Sequence, residues 1–132
     1  MTTVYVCQNG PYIVTGLFSL EARAAPRDDA SVVLCRCGRS LNKPYCDGTH
    51  TRIGFRDDGV ARHVARPDAA PGTIRLTIVP LRNGPLKCIG TLVVSGADGR
   101  TESTHDVNLC RCGASSTKPY CDDSHKRVGF TG

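Results

Sequence analysis

The chain has no tryptophan, and four Tyr and three Phe are its whole aromatic content. So few rings cannot build a stacking platform for nucleic-acid bases. No apolar run approaches the ~18–20 residues needed to span a bilayer. No basic-then-apolar stretch marks an export signal, since Met1 to Tyr5 enters a strand-like alternation directly. A cytoplasmic protein with no membrane partner is therefore expected, or one of the mitochondrial matrix if the chain is a processed eukaryotic one. Nothing resembles a phosphate loop, a Ser–His–Asp set or a paired-carboxylate acid/base site. Asp28-Asp29 and Asp57-Asp58 are adjacent pairs in loop-like sequence, so their side chains diverge. The expectation is a protein that is not itself an enzyme, at most the redox partner of one. A net charge of +5 is too modest to imply nucleic acid.

Cysteine is what the sequence does have: eight in 132 residues. That is thinner than a pure disulfide scaffold. In a reducing compartment such cysteines serve as metal ligands rather than disulfides.

The chain also repeats. Leu34–Phe55 (LCRCGRSLNKPYCDGTHTRIGF) and Leu109–Phe130 (LCRCGASSTKPYCDDSHKRVGF) match without a gap at 15 of 22 positions. Upstream, Asn9-Gly10-Pro11 recurs as Asn83-Gly84-Pro85. Alternating apolar residues flank each Asn-Gly, which predicts one β-hairpin per half, with the Pro loosening the turn. In the first half the run Tyr12–Leu20 is interrupted by Gly16. Residues 21–31 read as a loop. The organisation is a first half over 1–56, a linker over 57–72 and a second half over 73–132. Each half is too small to rest on apolar burial alone, so the cysteine segments are expected to staple it.

Each segment carries the spacing C-x-C-x8-C-x3-H: Cys35, Cys37, Cys46 and His50, then Cys110, Cys112, Cys121 and His125. Thiolate and imidazole suit zinc, copper(I) or iron–sulfur clusters, not calcium or magnesium. Two cysteines two apart in an extended chain point the same way. Structural zinc usually uses C-x2–4-C arms, and C-x-C is tight for it. The arm fits better when two thiolates share one iron of a two-iron cluster. A Cys3His zinc-stapled interaction module stays open as the alternative. Asp47 and Asp122 are helix-capping types, which predicts a short helical turn carrying each histidine.

These residues resemble the CDGSH iron–sulfur (NEET) family, whose motif runs C-x-C-x2-S/T-x3-P-x-C-D-G-S/A/T-H. The first segment fits at Cys35, Cys37, Ser40, Pro44, Cys46, Asp47, Gly48, Thr49 and His50. The second fits at Cys110, Cys112, Ser115, Pro119, Cys121, Asp122, Ser124 and His125, and departs at Asp123, where the family has Gly. Two copies in one chain look like the tandem, monomeric branch. The resemblance implies a small β-rich fold, mostly β with short helical turns at the metal sites. Its two pseudo-symmetric halves would form an intramolecular pseudo-dimer. It implies two [2Fe–2S] clusters, each held by three Cys and one His, in electron transfer or cluster transfer. Histidine in place of a fourth thiolate makes the site less negative and raises its potential. It also makes potential and lability depend on pH.

Around the ligands, Arg36 and Arg111, Ser40 and Ser115, and Asp47 and Asp122 are candidates for a supporting shell. The arginines, with Lys43, Lys118, Arg52 and Arg127, are expected to compensate an anionic centre or dock acidic redox or apo-acceptor proteins. The weighed alternative is solvated surface charge. The serines are candidates to donate to sulfur, or else simply turn residues. The windows 35–56 and 110–130 carry +6 between them, leaving −1 elsewhere. Cys7 and Cys88 are expected in the core, Tyr45 and Tyr120 over the cluster, and Phe55 and Phe130 as core anchors. His63 and His105 are expected to be exposed, the first in the linker and the second in a polar loop.

Overall fold

The computed structural model describes residues 2–21, 31–41, 43, 45–60 and 76–131. Its elements are β1 (Thr3–Val6), β2 (Tyr12–Thr15), β3 (Phe18–Leu20), β4 (Ser31–Leu34), α1 (Thr49–Arg52), β5 (Leu76–Pro80), β6 (Leu86–Ile89), β7 (Thr91–Ser95), β8 (Thr101–His105), β9 (Asn108–Leu109) and α2 (Ser124–Arg127). The fold is small and β-rich, with two one-turn helices, as expected.

Both expected hairpins form. β1 pairs antiparallel with β2, Val6 opposite Tyr12, and β5 with β6, Pro80 opposite Leu86. Asn9 and Asn83 take left-handed backbone at φ 52° and 53°, which Asn tolerates better than most residues. The turns share one wiring: Cys7 N–H donates to Pro11 O and Gly10 N–H to Cys7 O, as Leu81 does to Pro85 and Gly84 to Leu81.

Gly16 and Gly90, at φ 109° and 114°, do more than interrupt a strand. After each, the chain leaves its own hairpin and joins the other half's. β3 runs parallel to β5, and β7 parallel to β1. The result is a five-stranded sheet, β4-β2-β1-β7-β8, and a four-stranded sheet, β3-β5-β6-β9, each holding strands from both halves. Swapping a strand in each direction binds the halves into a pseudo-dimer. One core cluster serves both sheets, with Val4, Val14 and Leu92 from one and Phe18, Ile78 and Leu109 from the other. Strands β1, β2, β4, β5 and β6 alternate buried with less buried residues, the period-2 pattern of sheets with one covered face.

β8 was not anticipated. Its sequence, TESTH, is polar and buries only Thr104 fully. It lies at the sheet edge against β7, where one packed neighbour suffices. His105 therefore ends a strand rather than sitting in a loop, half-buried with Nδ1 3.1 Å from Asp106. Most of the linker region, 61–72 with His63, lies outside the described residues. Residues 57–60 fold back on the first turn: Asn9 N–H donates to Asp57 O, and Asp57 N–H to the Asn9 side chain.

Candidate metal centre

Each C-x-C segment leaves its strand extended and stops at a glycine. Gly38 and Gly113 have φ of 83° and 82°. The two segments back onto each other across the pseudo-twofold. A Cβ on Gly38 would lie 2.6 Å from Cys112 O, and one on Gly113 2.7 Å from Cys37 O. Only glycine fits both the backbone angle and the gap. The chain then returns through Tyr45 and Tyr120, which bridge to Leu34 and Leu109 beside the outgoing strand. The tyrosines pack on the hydrophobic core.

The eight expected ligands gather as four pairs. Cys35 and Cys37 place their sulfurs 3.7 Å apart, as do Cys110 and Cys112. Cys46 Sγ lies 3.5 Å from His50 Nδ1, and Cys121 Sγ 3.6 Å from His125 Nδ1. A tetrahedral metal with bonds of about 2.3 Å to sulfur and about 2.0–2.1 Å to nitrogen separates its ligands by about 3.75 Å (S–S) and about 3.5 Å (S–N). Every pair therefore has the bite of one tetrahedral ion. The pairs within a set do not converge on one point. Among the described residues, the single group of three donor atoms all within 4.8 Å of one another is Cys121, Asp123 and His125. At the second set Pro85, Cys110, Cys112, Ser115, Cys121 and His125 help line a shallow recess.

The histidines sit in α1 and α2, entered through left-handed Gly48 and Asp123 at φ 86° and 69°. The capping carboxylate comes from one residue earlier. Asp47 Oδ1 accepts from Thr49 N–H at 3.0 Å and Oδ2 from Leu41 N–H at 2.9 Å. Asp122 does the same with Ser124 and Ser116. The Thr49 hydroxyl first, then the Leu41 amide, pull Asp47 down to about 2; Ser124 and Ser116 do so for Asp122. Both aspartates thus stay ionised and tie the histidine turn to the loop after the C-x-C.

The sulfurs receive backbone donors: Gly48 N–H to Cys46 at 3.5 Å, Asp123 N–H to Cys121 and Ala114 N–H to Cys112 at 3.4 Å. A hydrogen bond from Cys112, aided by the Ser115 and Gly113 amides, draws the Cys110 thiol down to about 6. That same bond pushes Cys112 up, and burial holds Cys37 at about 11. The serines do not spend their protons on sulfur. Ser40 donates to Tyr45 O and Ser115 to Tyr120 O at 2.6 Å, each closing the loop before the third cysteine. A hydroxyl has one proton to give, so the turn role wins.

Arg36 and Arg111 are not surface charge; they are 2% and 3% exposed. Arg36 Nη1 pairs with Asp57 at 2.7 Å and Nη2 donates to Cys7 O. Arg111 donates from Nε to Gly84 O at 2.8 Å and from Nη2 to Leu81 O at 2.6 Å. Phe55 and Phe130 cover the two guanidiniums at 5.0 and 4.9 Å, so their anchoring is to the arginines. Each arginine thereby fastens its metal-binding segment to its own hairpin turn. Arg39, Arg52, Arg56, Lys126 and Arg127 remain exposed.

Cys88 lies in the core, and burial pushes its thiol up to about 12. Cys7 does not join it. It occupies the turn position of Leu81 and is half-buried. A Cβ on Gly10 would lie 3.2 Å from its Cβ and 3.9 Å from His50 Nε2. The sequence offered a signal for this: aligned on the Asn-Gly-Pro turns, Cys7 pairs with Leu81 and Cys88 with Val14.

Two half-sites of thiolate and imidazole, repeated on a strand-swapped β fold, define a tandem metal-binding protein. The iron-binding zinc finger CDGSH-type family matches residues 9–51 and again 83–126. The chain belongs to that family, and the double match makes it a tandem member. No curated protein matches the chain closely enough to serve as a relative.

Proposed function

We propose that the protein holds two [2Fe–2S] clusters, one per motif, and works in electron transfer or cluster transfer, not as an enzyme in its own right. Cys35, Cys37, Cys46 and His50 form the first ligand set, and Cys110, Cys112, Cys121 and His125 the second. The observation that carries this reading is the pairing of the donors. Each pair has the bite of one tetrahedral ion, while no three of the four donors in a set meet around a common centre. A binuclear core wants two such pairs facing each other; a single zinc wants all four converging.

The cluster supplies one-electron chemistry when bound. The chain's own residues do the rest. Nδ1 of each histidine faces the cysteine partner, so Nε2 is the nitrogen left to carry a proton, and potential and lability should depend on pH. The exposed arginines and Lys126 give the site regions a positive face suited to an acidic redox partner or apo-acceptor. The visible spectrum of freshly purified protein, with iron, acid-labile sulfide and zinc measured, tests the proposal. A coloured protein with about four irons and four sulfides per chain is expected. A colourless protein carrying two zinc ions would overturn it in favour of a zinc-stapled module.

A further inference from the structure

Asp123 stands where the first motif has Gly48, and its placement makes it more than a tolerated variant. Its carboxylate lies within 4.8 Å of donor atoms of both Cys121 and His125. Its neighbour Asp122 is spent on the Ser116 and Ser124 amides. The Asp123 carboxylate, by contrast, has no hydrogen-bond partner among the described residues. A Cβ on Gly48 would meet nothing within 4 Å, so the corresponding position of the fold is open enough to hold a side chain. Carboxylate beside imidazole is an ordinary donor combination for iron.

We propose that Asp123 is a reserve ligand: when His125 is off the metal, the carboxylate takes its place beside Cys121, so the second site keeps its cluster where the first would lose it. This rests on the [2Fe–2S] reading above. The exchange is a ligand substitution without redox change. One iron–nitrogen bond breaks and one iron–oxygen bond forms. The site gains one negative charge, because a carboxylate replaces a neutral imidazole. The first site has no carboxylate at this position, because Gly48 carries no side chain. The two otherwise similar sites would then differ in when they give up a cluster, the first releasing and the second retaining.

The test compares iron, sulfide and the visible spectrum in four variants of the full chain purified with cluster. His50→Ala should lose one of two clusters, leaving about two irons per chain, while His125→Ala should keep about four. Adding Asp123→Gly to His125→Ala should bring the content down to about two. Adding Gly48→Asp to His50→Ala should bring it back towards four. The retained cluster of His125→Ala should also show a lower reduction potential than the same site in the unaltered protein, which a merely structural role for Asp123 would not produce. Equal loss in His50→Ala and His125→Ala, from a parent that does contain two clusters, would overturn the reserve-ligand proposal and leave the cluster assignment standing. A parent without iron and sulfide would instead remove the assignment on which it rests.

Discussion

Arg36 and Arg111 occupy matching positions in two segments that share 15 of 22 residues, yet they are held differently. Arg36 ends on a carboxylate, Asp57, and one turn carbonyl, and its Nε finds no partner among the described residues. Arg111 places its Nε and Nη2 on two turn carbonyls, and burial lowers its pKa. The first half brings Asp57 from the segment following its motif, whereas the hydrogen bonds of Arg111 go to carbonyls of its own hairpin turn. Other pairs diverge as well: Cys7 against Leu81, Tyr12 against Leu86, Gly48 against Asp123. A repeated backbone thus carries two metal segments with different supports, so the halves should fail differently when perturbed.

The arginines give the largest expected effect. Arg36→Ala removes one partner of a mostly buried ion pair and leaves the Asp57 carboxylate without its counter-charge, a loss of about 3–5 kcal/mol. Arg111→Ala strands the Gly84 carbonyl and no charge, while Leu81 O keeps the Gly84 amide, for about 1–3 kcal/mol. Denaturation midpoints of the metal-loaded protein, followed by circular dichroism, rank the two. Equal losses would mean that Asp57 adds nothing, and the difference in support would collapse.

Tyr12 tests whether support crosses between halves. It is fully buried in β2 of the first half, yet its hydroxyl donates to Cys110 O and lies 3.1 Å from Pro119 O in the second metal segment. Its counterpart Leu86 has nothing to donate. Tyr12→Phe should cost about 1–2 kcal/mol through the Cys110 carbonyl it leaves unsatisfied, Pro119 O keeping the Cys110 amide. It should shift the electronic or paramagnetic NMR signals of the second site while leaving the first unmoved. A shift at the first site would contradict the cross-half tie.

How much of this could be read from the sequence follows from how local each feature is. Asn-Gly turns between alternating runs specified both hairpins, and the ligand spacing specified four donor pairs. The swap of β3 and β7 was not legible, because parallel pairing between distant strands leaves no mark in either strand alone. Gly16 announced only a break. β8 escaped because an edge strand with one covered face needs little apolar pattern. Arg36 and Arg111 read as supports of the ligands, but the turn carbonyls that hold them leave no mark in the sequence. A charged residue beside ligands fits surface charge equally well until the carbonyls and the ring that bury it are known.

Cys88 and Val14 offer a milder test on equivalent strand positions. Burial holds the Cys88 thiol neutral, with its pKa at about 12 when folded against 9.0 for an unperturbed thiol. Since the folded value is raised, the stabilisation is full below pH 9 and is lost as pH rises from 9 towards 12. The loss should be about 1 kcal/mol by pH 10. Cys88→Val, copying the other half, should remove that contribution to the slope in a pH series of unfolding midpoints. Thiol reagents should leave Cys88 unmodified in the folded protein.

Gly48 and Asp123 give the smallest effect and the most direct comparison. Both have left-handed backbone, which costs a residue with a Cβ about 1–2 kcal/mol, less for Asp because its short side chain tolerates that region. Replacing Asp123 by Gly relieves this strain but frees the unfolded chain, which offsets about 0.4–1 kcal/mol. Asp123→Gly should therefore stabilise the metal-loaded protein by at most about 1 kcal/mol, and Gly48→Asp should destabilise it by a similar amount, read as opposite shifts in melting temperature. If both substitutions destabilise, the two turns are not equivalent environments. Asp123 would then be stabilised by its surroundings in a way Gly48 is not, and the carboxylate beside Cys121 and His125 would contribute even while histidine is in place.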